Sequence, residues 1–340
     1  MLKKRGLTVG KFAPLHKGHQ FLIETALAEM DEVIVIIYDC AQTTAVPLTV
    51  RSQWLKNIYP QVRVIEAWQG PTEVGHSPEI KKKHEDYIIN SLGLKNITHF
   101  YCSEFYGEHM SLALGAENRL VDRERSVVPV SGTAIRADPA QFRQYLHPVV
   151  YRDLITNVVF LGAPSTGKTT ITSELAREYN TVCMLEYGRE YWEKHHSQRR
   201  LSPEQLVKVA EGHLAREEQL LYQANRYLFT DTNALTTYMF ALYYHGSAHQ
   251  RLSELALQSA SRYDLVFVCD TDIPYDDTWD RSGNVNRQTF QKQIISDLLI
   301  RKIPFFMLRG PLKKRIELVK KILTKYKKYE NLLELFTNWT

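Results

Sequence analysis

Short apolar runs alternate along this chain with longer segments whose apolar positions recur every three to four residues, the pattern of strands alternating with helices. Strand-like runs fall at residues 7–12, 33–38, 62–67, 97–102 and 126–129 in the first half, and at 157–161, 182–186, 226–231, 264–270 and 304–308 in the second. Between them lie helical patterns: one opens after His19 with Phe21, Leu22, Thr25, Ala26 and Ala28, and another runs over 80–92 behind Ser77 as N-cap and Pro78 in the first turn. Such alternation predicts an α/β chain of two doubly wound parallel-sheet domains, with ligands at the carboxyl ends of the strands. The boundary is placed near 147–153, dividing a domain over 1–150 from one over 151–340. No linker rich in Gly, Ser or Pro separates them, so the domains are expected to be closely apposed. There is no internal repeat and no low-complexity segment.

Length and composition narrow the classes. With 340 residues, 44% hydrophobic and 24% charged, the chain can build two cores and has the make-up of a globular protein. The net charge of +5 is not gathered into a patch for nucleic acid. The densest basic stretch, 313–328, interleaves Leu312, Ile316, Val319, Ile322, Leu323 and Tyr326, and is expected to be an amphipathic helix with a solvated face. No apolar run approaches the ~20 residues of a membrane span, and Lys3, Lys4 and Arg5 are followed by no signal-peptide core. Four scattered cysteines, Cys40, Cys102, Cys183 and Cys269, lack metal spacing and read as small hydrophobes of a reducing, cytoplasmic compartment. The expected partners are small molecules, without nucleic acid or membrane insertion, and a homo-oligomer is left open.

Two turns carry phosphate chemistry. The first, Gly10-Lys11-Phe12-Ala13-Pro14-Leu15-His16-Lys17-Gly18-His19, joins a strand to a helix. Unpaired N–H groups and the positive end of the helix dipole meet there, and His16 and His19 share one face of the first turn, where both can donate to one phosphate. The turn resembles the (H/T)xGH signature of nucleotidyltransferases. The second turn, Gly162-Ala163-Pro164-Ser165-Thr166-Gly167-Lys168-Thr169, satisfies G-x-x-x-x-G-K-[ST] between a strand and a helix bearing Ile171, Leu175 and Tyr179. Its backbone, with Thr170 following, can wrap phosphates, while Lys168 supplies a charge and the Thr169 hydroxyl can hold magnesium.

A third element, Ser131-Gly132-Thr133-Ala134-Ile135-Arg136, again opens a helix, and Arg136 is placed to reach the same anion as the histidines. It looks like the (I/V)SGTxIR element of nucleotidyltransferases, which binds ATP phosphates in that family. The reaction implied is in-line attack of an acceptor phosphate on the α-phosphorus of ATP. Catalysis is then positioning and charge neutralisation by His16, His19, Lys11 and Arg136 with magnesium, without a protein nucleophile.

GKFAPLHKGH, SEFYG (103–107), ALGAENRLVDRER (113–125) and VSGTAIR, followed by a P-loop domain, together resemble the bacterial NadR family over essentially the whole chain. The resemblance implies adenylyl transfer from ATP to nicotinamide mononucleotide, giving NAD, in the first domain. Gly10, Lys11, Phe12, His16, His19, Ser131, Gly132, Thr133 and Arg136 would hold ATP there. Ser103, Tyr106 and Gly107 would lie in the substrate cleft, and Trp68 would stack on the base, unless it belongs to the core. Many NadR proteins begin with a helix-turn-helix domain. Here the catalytic strand starts by Leu7, so operator binding is expected to be absent.

The P-loop alone does not choose among kinase, motor and switch. No N-K-x-D guanine-reading motif follows, which argues against a GTPase, and no long insertions of a motor are present. Glu186 and Asp231, at two strand ends, are candidates for orienting the acceptor and holding magnesium, and Arg281, in the polar stretch 276–286, for a lid arginine. Magnesium is assigned to Asp231 with Thr169, the acceptor to Glu186 with Arg189. EYGRE, DTxxxTT (231–237) and DDTWDRSG (276–283) resemble the ribosylnicotinamide kinase domain of NadR proteins, which phosphorylates the riboside 5′-hydroxyl. Tyr187, Tyr191, Trp192 and Tyr238 are unranked candidates for holding the ring. Two other readings stay open at this point. One is a different nucleotidyltransferase fused to a different nucleoside kinase; the other is a nucleotide-sensing regulator of a transporter, against which the intact motifs speak.

Overall fold

β-Branched and aromatic runs become strands here because both of their faces find helices to pack on. The computed structural model describes residues 3–73, 75, 77–104, 106–197, 200–275 and 284–330. These divide into two units, Met1–Tyr151 and Arg152–Thr340.

In the first unit, β1 (Arg5–Gly10), α1 (Lys17–Glu29), β2 (Glu32–Tyr38), α2 (Leu48–Ile58) and β3 (Arg63–Ala67) form one winding. The second winding is α3 (Pro78–Asp86), β4 (His99–Cys102), α4 (Gly107–Leu114), β5 (Glu117–Leu120) and α5 (Gly132–Ala137), with α6 (Pro148–Leu154) after it. All pairings are parallel, in the order β3-β2-β1-β4-β5. The winding reverses between β1 and β4, and a crevice at their carboxyl ends is where such sheets bind ligands. Leu7, Ile34, Ile36 and Phe100 pack with Ile88 and Met110 as one core. Ser77 caps α3 as expected, accepting from Ile80 N, but the helix passes into a π-turn at Tyr87–Ser91.

The strand expected at 126–129 is absent, with Val127 61% exposed. The edge strand is instead β5, whose sequence Glu-Asn-Arg-Leu has no apolar alternation. An edge strand with one partner is held by the ladder itself, so pairing with β4 overrides local pattern there.

The second unit runs β6 (Thr156–Leu161), α7 (Lys168–Glu178), β7 (Cys183–Met184), α8 (Tyr187–His195), α9 (Pro203–Gln223) and β8 (Tyr227–Asp231). It continues through α10 (Ala234–His245), α11 (Gln250–Gln258), β9 (Leu265–Cys269), α12 (Asn284–Ile300), β10 (Phe306–Leu308) and α13 (Leu312–Lys325). Its parallel sheet has the order β10-β9-β6-β8-β7. Every residue of β6 is buried. Val158 and Phe160 pack with Ile171, Leu175, Val319 and Leu323 on one face, and Val159 and Leu161 with Leu235, Met239, Phe290 and Ile294 on the other. The basic stretch near the end is the expected amphipathic helix, with Val319, Ile322 and Leu323 turned inward.

Candidate active sites

The turn after β1 is organised by its own histidines. His16 is the N-cap of α1: its Nδ1 accepts from Gly18 N at 3.1 Å, and His19 Nδ1 accepts from His16 N at 3.4 Å. The rings stack at 3.8 Å. An imidazole whose Nδ1 accepts an N–H carries its proton on Nε2, so Nε2 is the donor of each neutral ring. Burial, then the charges of Arg125 and Arg136, pushes the His16 pKa down to about 4. Burial, His16 and Arg125 hold His19 well below its ordinary value. At neutral pH both are therefore uncharged donors.

Around them the predicted residues converge. A Cβ on Gly132 would lie 3.2 Å from Arg136 Nη1 and 3.9 Å from His16 Nε2, so α5 begins against the histidine pair. Arg136 donates to Ala13 O at 2.6 Å and to Thr133 Oγ1 at 3.0 Å, tying α5 to the turn. Ser131 spends its hydroxyl on capping Ala134 N at 3.1 Å. Phe12 takes the left-handed conformation (φ 45°) and packs its ring against His19 at 4.8 Å and against Gly10. Lys11 reaches Thr43 Oγ1 at 3.2 Å.

Sequence reasoning passed over Arg51. On α2 it is fully buried, donating from Nε to Val46 O at 3.0 Å and from Nη1 to Tyr38 O at 3.0 Å and to Lys11 O, so it pins the phosphate turn from beneath. Its signal was an arginine at an inward position, since Leu48, Arg51, Ser52 and Leu55 share one face at spacing three and four.

The candidate substrate segment follows β4. Tyr106 donates to Val9 O at 3.2 Å, and a Cβ on Gly107 would meet Cys102 Sγ at 2.0 Å and Asn118 Oδ1 at 2.7 Å, so both have packing duties. Ser103 leads out of β4 beside β1, at the reversal of the winding. Trp68 is 56% exposed and donates to Glu66 Oε2 at 3.2 Å, so the core reading of Trp68 fails.

In the second unit the P-loop follows β6 in the centre of the sheet. Gly162 must be glycine: at φ 137° its Cβ would lie 2.6 Å from Cys269 O. Lys168 Nζ donates to Ala163 O at 3.0 Å, and Thr166 Oγ1 to the same carbonyl at 2.8 Å. Three buried side chains missed by sequence reasoning brace the loop. Gln291 accepts from Ala163 N at 2.7 Å, Arg287 donates to Ser165 O at 2.9 Å, and Arg315 donates to Thr166 O at 2.7 Å. All three come from α12 and α13, far along the chain, and no local pattern marks them.

Thr169 Oγ1 donates to Asp231 Oδ2 at 2.5 Å, while Asp231 Oδ1 is buried with no partner among the described residues. Burial raises the Asp231 pKa to about 6; Glu186 adds to this, while Lys168 and the Thr169 bond oppose it. Glu186 leads into α8 with Arg189 at 3.8 Å. A cavity of about 440 Å³ joins Thr169, Glu186 and Arg189, with Asp231 buried behind Thr169 and off its wall. Gly162, 164–170, Glu186, Arg189, Trp192 and His213 are on its wall, with Arg200, Phe240 and Tyr244. Tyr187, Tyr191 and Tyr238 are not. The reason is helix phase: on α8 the cavity face is Gly188, Arg189 and Trp192, and on α10 it is Thr236, Thr237, Phe240 and Tyr244. Tyr187 turns to α9, against Gly212 and under Arg216 at 4.1 Å. Arg281 lies outside the described residues.

Comparisons with known proteins bear on the family and the fold. Residues 7–138 match the cytidylyltransferase-like family, and residues 157–315 match the AAA domain family. The trifunctional NAD biosynthesis/regulator protein NadR of Salmonella typhimurium is 28% identical, the match covering 94% of this chain and 84% of that protein. The chain is a NadR homologue. The Escherichia coli NadR is 27% identical, over 89% of this chain and 78% of the relative. Crystal structures of NadR protein in complex with NAD and AMP-PNP, and in complex with NR, share the fold. Each has a TM-score of 0.58 at 22% identity, the first covering 95% of this chain and 96% of the other, the second 97% and 98%. This NadR homologue thus pairs a nucleotidyltransferase domain with a P-loop kinase domain, the architecture of a NAD biosynthesis protein. No described helix is long and apolar enough to cross a membrane.

Proposed function

We propose that this chain makes NAD in two ATP-dependent steps: residues 151–340 phosphorylate the 5′-hydroxyl of nicotinamide riboside, and residues 1–150 transfer AMP from a second ATP to the resulting mononucleotide, releasing pyrophosphate. The observation that carries the reading is a strand–turn–helix of phosphate-site sequence in each of the two units, in a chain similar to NadR almost end to end.

In the kinase site Lys168 exchanges the Ala163 carbonyl for the ATP phosphates, and Glu186, steadied by Arg189, accepts the hydroxyl proton. Trp192 offers an aromatic face to the nicotinamide ring, with Phe240 and Tyr244 across the cavity. The unpartnered Asp231 Oδ1 and the Thr169 hydroxyl suit magnesium, which keeps most of its shell for water and phosphate. Bound there, it would neutralise charge on the phosphates.

In the transferase site a phosphate oxygen of the mononucleotide attacks the α-phosphorus in line, and the bond to pyrophosphate breaks. The two Nε2–H donors of His16 and His19, with Lys11 and Arg136, stabilise charge on the phosphate chain as it leaves. Ser131, Gly132 and Thr133 border the ATP phosphates; Ser103, Tyr106, Gly107 and exposed Trp68 border the mononucleotide. A cytoplasmic location belongs to the same proposal, supported by four unpaired cysteines.

An acceptor panel tests it: ATP and magnesium with nicotinamide riboside, uridine, cytidine or adenosine, and with the matching mononucleotides. Nicotinamide riboside and its mononucleotide should turn over fastest. Preference for a pyrimidine or purine pair would replace the reading with a different transferase fused to a different nucleoside kinase.

A further inference from the structure

The turn before α5 is built around one acid. Asp122 accepts from Val127 N at 3.0 Å, Val128 N at 2.9 Å and Ser126 Oγ at 3.2 Å, while its carbonyl accepts from Arg125 N at 2.9 Å. Asp122 and Arg125 both hold left-handed backbone, φ 48° and 51°. Such angles persist in non-glycine residues only where surrounding bonds enforce them. The turn rests on the start of α1: a Cβ on Gly18 would lie 3.0 Å from His16 Cε1 and 4.0 Å from Val128 Cγ1. Arg125 belongs to this turn, near enough to the histidine pair for both rings to feel its charge.

Three other cations at the phosphate turn are engaged on groups of the protein. Lys11 is on Thr43, Arg136 on Ala13 O and Thr133, and Arg51 is buried on carbonyls. Arg125 instead faces Glu104 at 4.0 Å, with both side chains half exposed. An exposed pair at that distance is weak and easily exchanged. The histidines contribute donors without charge, so a cation that exchanges its partner easily adds to Lys11 and Arg136 when a polyphosphate arrives.

We propose that Arg125 is a catalytic residue of the transferase unit, releasing Glu104 when nucleotide binds and closing its guanidinium on the phosphate chain that His16 and His19 hold. This rests on the reading of the first unit as a nucleotide site. The planar fork of a guanidinium fits two phosphate oxygens at once, a match that an ammonium cannot reproduce. No covalent bond is made to it; it offsets charge as pyrophosphate departs.

The test uses Arg125→Ala, Arg125→Lys and Glu104→Gln in the full chain. Arg125→Ala should lower kcat/KM for ATP in adenylyl transfer by ~10²-fold and leave riboside phosphorylation in the same preparation unchanged. Arg125→Lys should recover only part of the loss, and Glu104→Gln should lower the KM for ATP. Wild-type adenylyl transfer in Arg125→Ala, or a raised KM in Glu104→Gln, overturns the proposal. Should the chain make no dinucleotide at all, the reaction assigned to the unit fails, yet ATP binding still decides on Arg125. With the P-loop site silenced by Lys168→Ala, adding Arg125→Ala should weaken ATP binding at least tenfold, about 1.4 kcal/mol; unchanged binding overturns the proposal.

Discussion

The role proposed for His16 and His19 rests on what their inner atoms are tied to. Each Nδ1 is spent on a backbone N–H of the turn, which leaves Nε2–H as the ring's donor and requires no charge on the ring. The acids of the kinase site are set apart in the same way. Asp231 is sealed beneath the P-loop with one oxygen on Thr169, whereas Glu186 stands on the cavity wall beside Arg189. Asp231→Asn should therefore slow riboside phosphorylation by weakening magnesium, and raised magnesium should restore part of the rate. Glu186→Gln should be equally slow and not respond to magnesium. The reverse pattern would exchange the two roles, and normal rates in both variants would leave these acids as structural groups. These candidates stand out in the sequence because they sit in or beside short motifs with the spacing of phosphate sites. Arg51, Gln291, Arg287 and Arg315 do not, because each acts on a turn far away in sequence.

Elements were legible where burial on two faces or one imposes a period, and lost where it does not. β6 and β2 are apolar runs and were placed to within a residue. β5 is polar and exists through its ladder with β4, while 126–129, more apolar, became a turn around Asp122. Helix phase decided the aromatic residues: α8 shows Trp192 to the cavity and Tyr187 to α9. The same scale separates packing from substrate contact at the start of α4. Gly107→Ala would drive a methyl into Cys102, and overpacking of this kind costs about 1–3 kcal/mol. The variant should lower the unfolding temperature of the transferase unit, and adding Cys102→Ala should restore part of it. An unchanged unfolding temperature would contradict the packing role of Gly107.

At the scale of the molecule the chain repeats one solution. Each unit is a parallel five-stranded sheet with a phosphate turn after a strand flanked on both sides. Alternation of strand and helix patterns made both sheets visible from sequence, whereas strand order came only from the structure, since the apolar strands could each pair with several others. Because the histidine pair and Lys168 belong to different units, the account separates the two reactions cleanly. The most direct measurement follows the products from nicotinamide riboside, ATP and magnesium over time, in the wild-type chain, His19→Ala and Lys168→Ala. Wild type should pass through the mononucleotide to NAD. His19→Ala should accumulate mononucleotide, with adenylyl transfer slower by ~10²–10³. Lys168→Ala should leave the riboside untouched yet convert supplied mononucleotide to NAD. Equal loss of both reactions in either folded variant would contradict two independent sites in this chain.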